Sequence, residues 1–317
     1  MQCFPSLFIG GADSYLQRVR PLIFLFLFAS CSVSKQISKQ ANTILINDSS
    51  IINGHIGISI YEPATGKYWY NYQAEKYFVP ASNTKLFALY AGMKYLGDSL
   101  PGMRYSIEDQ NLFIQPTGDP TFLHPDFKNQ RVFDFLKASN KNIYLNNRLW
   151  RSNAYGRGWP WEDYSADYAP ERSAMPIYGN VIRVNKNYKK LQIVPQYFSN
   201  TTLRDSTQNW DSFPARALRE RITNKIVLTG ASKNDRSLEI PFITHDGEII
   251  FSLLSDTLKK TVAKDRWNDS KMNANVIYSQ ASDTMFRIMM HRSDNFLQSK
   301  PYLWPAMKSW AILATGE

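Results

Sequence analysis

A serine stands three residues before a lysine in the segment Val79–Phe87, and the residues that follow have the spacing of a helix. A serine hydroxyl is a poor nucleophile at neutral pH unless a base within hydrogen-bond reach takes its proton. If Ser82 opens the helix, Lys85 lies one turn later on the same face, and burial would lower its pKa enough to make it that base. The spacing therefore predicts an activated nucleophile, and the alternative is that Ser82 only caps the helix.

A second polar triplet, Ser293 to Asn295 (SDN), follows a predicted helix near the end of the sequence. In a serine–lysine site a second hydroxyl relays a proton to the leaving amine, and an amide orients the lysine and a substrate carbonyl. We interpret Ser293 and Asn295 as partners of Ser82 and Lys85. An ordinary polar helix exit would contain the same residue types.

Both patterns are short, and each occurs a second time where no catalytic site is expected. Residues 32–35 repeat the serine–lysine spacing in a polar segment, and residues 232–234 repeat the serine–asparagine spacing in a polar loop. Motifs of this length arise by chance. The prediction for Ser82 therefore depends on the other patterns in the chain.

The elements that must position these residues follow from the periodicity of the apolar side chains. The predicted strands cover residues 55–61, 67–72, 111–115, 142–145 and 276–278, and the predicted helices cover residues 86–96, 127–136 and 283–291. Met285, Ile288 and Met289 share one face of the last helix. Gly97 is the predicted stop of the first helix.

The order of these elements predicts an α+β fold in which one domain is split by another. Residues 55–97 and 270–317 would form a sheet with flanking helices, and residues 98–269 would form a strand-rich inserted domain. The catalytic residues would all belong to the split domain.

The N-terminal sequence has the order of an export signal. Arginines precede a short apolar run that ends at small residues and Cys31, and this run is too short to span a bilayer. Residues 28–31 (FASC) are similar to a lipoprotein cleavage box. We predict that residues 1–30 are a signal peptide, that Cys31 carries a lipid, and that residues 31–54 form a polar tether; an ordinary signal peptide or a buried strand are the alternatives.

The composition excludes several other classes. The chain of 317 residues has a net charge of +10, but no basic helix or aromatic RNA-binding pattern accompanies it, so nucleic-acid binding is not predicted. Cleavage before Cys31 would remove Cys3 and leave no free thiol, so neither a disulfide nor a zinc site is expected. The four histidines lack metal-ligand spacing. We therefore expect no metal and no organic cofactor.

Four stretches together resemble the class C low-molecular-mass penicillin-binding proteins, the D-Ala-D-Ala carboxypeptidase/endopeptidase family. They are Pro80–Leu86 (PASNTKL), Thr117–Thr121 (TGDPT), residues 159–170 with their Trp-Pro-Trp and Tyr-Ala-Pro sequences, and Arg292–Phe296 (RSDNF). They occur in the family's order, and the long insertion between the serine–lysine and serine–asparagine motifs is a family trait. The resemblance implies a serine transpeptidase/β-lactamase-like fold.

The same resemblance implies roles for the four candidate residues. Ser82 would attack the carbonyl of the penultimate D-Ala of a peptidoglycan stem peptide, and Lys85 would take its proton. Ser293 would relay a proton to the departing D-Ala, and Asn295 would hold Lys85 and the acyl chain. β-Lactams would acylate Ser82. The protein would be exported to the bacterial cell envelope, where it would be periplasmic and attached to the membrane through the lipid on Cys31.

The third motif of this family, Lys-Thr-Gly or Lys-Ser-Gly, does not occur in the sequence, and the residues from Gln298 onward depart from the family pattern. About a hundred further residues would be expected in such a protein. We therefore expect a C-terminal truncation in which part of the sheet is missing. Turnover would be impaired, because losing one oxyanion donor costs roughly 10²–10³ in rate.

A second interpretation is a non-catalytic envelope lipoprotein that binds peptidoglycan or a protein partner through the inserted domain. A β-lactamase or esterase on the same framework is disfavoured by the long insertion and by the Gly-Asp-Pro sequence. Covalent labelling by a penicillin distinguishes an enzyme from a binding protein.

Overall fold

The structure is a computed structural model, and it describes residues 32–51, 53–148, 150, 152–187, 190–204, 216–229, 237–265 and 275–300. The chain divides into two compact units, Met1–Val79 and Pro80–Glu317. The predicted signal peptide, the predicted lipid site Cys31 and the sequence after residue 300 lie outside the described residues.

The first unit contains a helix and a hairpin. Helix α1 (Val33–Gln40) continues as a π-helix (Ala41–Ile46), and strand β1 (Ile58–Glu62) pairs antiparallel with β2 (Lys67–Tyr72). The hairpin confirms the two strands predicted from their β-branched and aromatic residues. Helix α1 lies within the predicted tether, which itself stays a prediction.

The serine–lysine match at the start of α1 is a helix cap. The Ser32 side chain accepts a hydrogen bond from the backbone N–H of Lys35 at 3.3 Å. This contact satisfies one of the N–H groups that a helix N-terminus leaves without an intrahelical partner. The capping interpretation therefore holds at this second match.

The second unit is built from helices and short strands, which confirms the predicted α+β class. Within the described residues its helices are α2 (Thr84–Tyr95), α3 (Arg131–Ala138), α4 (Ile249–Leu258) and α5 (Ser282–Arg292). Its strands are β3 (Ser99–Glu108), β4 (Asn111–Pro116), β5 (Asn142–Leu145), β6 (Val181–Asn187), β7 (Lys190–Val194), β8 (Thr202–Arg204), β9 (Arg216–Arg219), β10 (Ile226–Thr229), β11 (Leu238–Pro241), β12 (Val262–Lys264) and β13 (Asn275–Ala281).

Among the described residues of this unit, the largest sheet has five strands in the order β12-β5-β4-β3-β13. Strand β3 is antiparallel to both β4 and β13, whereas β5 is parallel to both β4 and β12. Two three-stranded sheets have the orders β8-β10-β9 and β11-β6-β7. Strand β13 lies after residue 270, and its partner β3 lies in the segment predicted as an insertion. The predicted domain boundaries stay predictions.

The main core lies between the five-stranded sheet and helices α3 and α4. Leu136 of α3 and Leu253 of α4 are fully buried in one cluster with Ile114 of β4 and Leu145 of β5. Burying a leucine or isoleucine side chain stabilises the fold by about 1.5–3 kcal/mol. Helix α4 was not predicted, because a short apolar run fits a buried strand as well as a helix.

The Gly-Asp-Pro turn follows β4, and a hydrogen bond connects it to the neighbouring strand β3. Thr117 donates a side-chain hydrogen bond to the carbonyl of Gly102 at 2.8 Å, and the carboxylate of Asp119 accepts the N–H of Thr121 at 3.1 Å. Gly118 has φ of 67°, which favours glycine. These contacts are those of a turn that packs against strand β3.

A second, smaller core joins α2 to α5. It contains Leu96 at the end of α2, Met285 and Met289 of α5, and Leu297. Met285 and Met289 are fully buried, and Ile288 packs against them, so the predicted apolar face of α5 is confirmed. This core fixes the end of α5, and with it the polar triplet that follows, relative to α2.

We expect the Met289→Ala variant to lose about 2–5 kcal/mol of unfolding free energy, because it leaves a cavity in this second core. Urea unfolding followed by circular dichroism measures the loss. Met93→Ala is the matched control, because the Met93 side chain on α2 is 65% exposed. Its effect should stay within about 0.5 kcal/mol. Equal losses in the two variants would contradict the assignment of this core.

Helix α2 forms where it was predicted, but its buried face differs from the apolar face used to predict it. Lys85, Ala88 and Gly92 are buried, whereas Leu86 and Met93 are exposed. Small residues allow close approach of the backbone, and the buried lysine has a polar partner. The face of α2 that carries the chemistry is thus the one that packs inward.

Candidate active site

Ser82 lies in a 3₁₀ turn (Ala81–Asn83) directly before α2. Neither the turn nor α2 has a side-chain cap, so the capping alternative for Ser82 is wrong. Ala81 has φ of 45°. A positive φ is costly for a residue with a Cβ, and such strain clusters at functional sites. Ser82 itself is exposed, so its hydroxyl is open to a substrate.

Ser293 contacts Ser82 although the two are 211 residues apart, and its hydroxyl donates to the Ser82 hydroxyl at 2.7 Å. Ser293 is the C-cap of α5 and has the left-handed conformation, with φ 56° and ψ 39°. A left-handed cap reverses the chain direction at a helix end. The reversal at the end of α5 turns the Ser293–Asn295 triplet toward the start of α2.

Lys85 and Asn295 form a second contact between the same two segments. Lys85 is only 3% exposed, and its Nζ donates a hydrogen bond to Asn295 Oδ1 at 2.5 Å. The Asn295 amide nitrogen donates to the backbone carbonyl of Tyr168 at 3.5 Å. The Asn295 amide is thus held at both ends. Tyr168, part of the Tyr-Ala-Pro sequence on which the family resemblance rests, thus also orients a site residue.

Burial lowers the pKa of Lys85, and the negative charge of Asp294 opposes part of that shift. Removing an ammonium group from water disfavours its charged form. The lower pKa increases the fraction of neutral amine near neutral pH, and only the neutral amine accepts a proton. Burial also raises the pKa of the Asp294 carboxyl. The electrostatics of the site thus suit a lysine that acts as a base.

The site opens into a cavity of about 570 Å³. Its lining includes Ser82, Lys85, Asn295, Arg157, Trp159 and Arg172. The described residues that line this cavity include two arginines besides Lys85 and no carboxylate. We call it the cationic cavity.

The buried carboxylate of Glu171 fixes the chain next to Arg172, which lines the cationic cavity. Glu171 accepts the Tyr155 hydroxyl at 3.1 Å and both the N–H and the hydroxyl of Thr244 at 2.7 Å each. Arg172 donates to the backbone carbonyl of Tyr155 at 2.7 Å. Burial raises the pKa of Tyr155 to about 12, so its phenol stays a donor to Glu171.

Sequence reasoning missed Arg157, Glu171 and Arg172, and it used Trp159 only as part of the family resemblance. The glycines and prolines around residues 156–160 indicate a loop but not what the loop faces. A charged residue is fully buried only when it is paired, and the partners of Glu171 are distant in sequence. The sequence carries no local signal for this part of the site.

Ser293 and Asn295 also line a second cavity, of about 280 Å³. His124, Arg183, Glu239 and Arg292 belong to its lining, so its charges are mixed. Burial and the nearby Arg183 lower the pKa of His124 to about 4, so this imidazole is neutral at pH 7. The polar triplet therefore separates a cationic cavity from one of mixed charge.

The structure brings together the four residues selected from sequence, Ser82, Lys85, Ser293 and Asn295. The second serine–asparagine match, at residues 232–234, lies outside the described residues, as does Cys31. In the part of the chain that the structure describes, no helix is both long and apolar enough to cross a membrane.

Comparison with solved structures identifies the fold. Penicillin binding protein 4 from Haemophilus influenzae aligns with a TM-score of 0.55 over 78% of this chain and 61% of that chain, at 17% identity. The same protein complexed with a novel β-lactam aligns with a TM-score of 0.50, at 15% identity. This likeness confirms the predicted serine transpeptidase/β-lactamase-like class.

Sequence comparison then identifies the family. Residues 38–299 match the D-Ala-D-Ala carboxypeptidase 3 (S13) family, and the chain belongs to it. The D-alanyl-D-alanine carboxypeptidase of Actinomadura sp. (strain R39) is 24% identical over 147 residues, a match that covers 42% of this chain. The chain spans only 27% of that relative's length. The family predicted from the four motifs is confirmed.

Proposed function

We propose that this chain is a serine-type D-Ala-D-Ala carboxypeptidase/endopeptidase that acts on peptidoglycan stem peptides through an acyl-enzyme at Ser82. The observation that carries the proposal is the 2.7 Å hydrogen bond from Ser293 to Ser82. The buried Lys85, hydrogen-bonded to Asn295, supports it, because a nucleophile, a base and an orienting amide then meet at one point. Membership of the S13 family supports the substrate class.

In the acylation step Ser82 Oγ attacks the carbonyl carbon of the penultimate D-Ala, and its proton passes to the neutral amine of Lys85. The tetrahedral intermediate collapses, the C–N bond to the last D-Ala breaks, and the Ser293 hydroxyl relays a proton to the leaving amine. Asn295 keeps Lys85 in place and contacts the acyl chain. Water then hydrolyses the ester, and a cross-link between two stem peptides is cut in the same way.

In this proposal the substrate determines where the protein acts and which compounds inhibit it. Stem peptides lie in the bacterial cell envelope, so the protein acts there after export and is held at the membrane by a lipid on Cys31. β-Lactams imitate the D-Ala-D-Ala dipeptide and acylate Ser82. A penicillin-binding protein 4 structure that contains a β-lactam supports this part of the proposal.

Peptide mapping of a penicillin adduct tests the proposal. The purified chain is incubated with a fluorescent penicillin and digested, and we expect the label on the peptide that contains Ser82. The ring-opened penicilloate, which has no reactive amide, is the control and should leave the chain unlabelled. Absence of any adduct would reject the acyl-enzyme and favour the non-catalytic protein that binds peptidoglycan or a protein partner.

A further inference from the structure

The cationic cavity carries an excess of positive charge beside the nucleophile. Arg157 and Arg172 line it together with Ser82 and the base Lys85, and the lining residues that the structure describes include no Asp or Glu. Asp294, the carboxylate that acts on the pKa of Lys85, lines the second cavity instead. Unbalanced cations in a concave site raise the local concentration of anions. The charge pattern therefore indicates an anionic ligand group on this side of Ser82.

Arg172 is held in the cavity wall without a carboxylate partner. Its guanidinium donates to the backbone carbonyl of Tyr155 at 2.7 Å and lies 5.9 Å from the centre of the Trp159 ring. Its Nε atom is buried and has no hydrogen-bond partner among the described residues. Burial alone lowers its pKa, with no described carboxylate opposing the shift. A half-buried arginine without an acidic partner is unfavourable for folding alone, and a ligand anion would offset that cost.

Arg157 and Trp159 are presented to the same cavity by a tight turn. The Trp159 N–H donates to the Gly156 carbonyl at 3.3 Å, and a Cβ at position 156 would lie 2.5 Å from Trp159 Nε1. Gly158 has φ of 80°, so the turn needs glycine there too. The turn exposes Arg157 and gives the cavity a flat aromatic wall. A guanidinium beside an aromatic surface suits a small apolar residue that carries a carboxylate.

We propose that Arg157 and Arg172 form the subsite for the free C-terminal carboxylate of the substrate, with Trp159 against the side chain of the departing D-Ala. This inference rests on the proposed function, because it assigns the leaving group of the Ser82 reaction to the cationic cavity. The subsite selects a leaving group that carries a carboxylate on the carbon beside the scissile nitrogen, as the terminal D-Ala does.

A matched pair of thioesters tests the subsite at the acylation step. N-acetyl-D-alanyl thioglycolate carries a free carboxylate on its leaving group, and N-acetyl-D-alanyl thioglycolamide carries a neutral amide at the same place. With either compound the Ser82 oxygen bonds to the D-Ala carbonyl carbon, the C–S bond breaks, and the thiolate leaves with the electron pair and takes a proton. Intact-mass spectrometry measures the rate of acyl-enzyme formation by each thioester.

We expect the wild-type chain to react about 10–100-fold faster with the carboxylate thioester than with the amide, as a charge-assisted hydrogen bond predicts. Arg157→Gln and Arg172→Gln should each lower that ratio, and the double variant should bring it close to one. Arg287→Gln is the control, because Arg287 is exposed on α5 and lines neither cavity. Its ratio should equal that of the wild type.

The possible results separate the subsite from the proposed function. If both thioesters acylate Ser82 at equal rates in the wild type, or if the double variant keeps the wild-type ratio, the subsite is rejected and the acyl-enzyme stands. If neither thioester acylates Ser82, the proposed function is rejected and the subsite with it. Should Arg172→Gln fail to fold, the ratio in Arg157→Gln decides alone, because Arg157 is exposed.

Discussion

We expect the Ser82→Ala variant to form no covalent penicillin adduct, a loss of roughly 10⁶-fold in the acylation rate, as for removal of other nucleophilic serines. The adduct requires the Ser82 oxygen, which the variant lacks. The Ser293 hydroxyl donates to Ser82 at 2.7 Å, and in the proposed mechanism it relays a proton and forms no ester. Gel fluorescence and intact-mass spectrometry measure the adduct.

The chain supplies its own control for this prediction. Ser32 stands at the same spacing from Lys35 as Ser82 does from Lys85, and its side chain caps α1. Ser32→Ala should lose about 1 kcal/mol of helix stability and keep the full penicillin adduct. An adduct that survives in Ser82→Ala and is lost in Ser32→Ala would reverse the assignment of the nucleophile.

The contrast between these two serines shows how far the sequence could go. The serine-to-lysine spacing is local, so it correctly predicted that Ser82 and Lys85 lie within one turn of each other. It could not distinguish a cap from a catalytic position, because both occur at a helix start. The difference lies in the contact with Ser293, which depends on the fold of the second unit.

The fold was predictable where its elements are regular. Strand β5 was predicted to the residue, and β4 within one residue, because their apolar runs are bounded by turn residues. Strand β3 was missed because Pro101 and Gly102 interrupt its pattern. The helix predicted over residues 127–136 is α3, but it begins at Arg131. Phe127 lies before the helix and is buried in the second core.

The cationic cavity was beyond sequence reasoning for a physical reason. Its arginines lie in irregular segments whose conformation is set by the buried Glu171 and its contact with Thr244, 73 residues away. Neither periodicity nor composition encodes such a contact. Local patterns thus predicted that Ser82 and Lys85 lie together, whereas the arginines of the proposed carboxylate subsite were found only in the folded chain.

Replacing Lys85 with methionine should lower the rate of penicillin acylation by about 10³-fold, within the range measured for loss of a general base. Methionine fills a similar volume but neither accepts the Ser82 proton nor donates to Asn295 Oδ1, so both functions of Lys85 are lost. Lys94→Met is the control, because Lys94 is exposed on α2 and lies over the Tyr95 ring at 5.5 Å. Wild-type kinetics in Lys85→Met would remove lysine from the mechanism.

The pH dependence separates a base from a residue that only packs. The proton acceptor is the neutral amine, so the wild-type acylation rate should rise with pH and level off above the pKa of Lys85. Burial lowers that pKa from its ordinary value of 10.5, and the charge of Asp294 raises it.

Asp294→Asn removes the charge that raises the pKa of Lys85, so the rising part of the pH profile of this variant should move to lower pH. Exposed Asp283→Asn on α5 should leave the rising part in place. A rising part that stays fixed in Asp294→Asn, or that persists unchanged in Lys85→Met, would mean that a group other than Lys85 titrates.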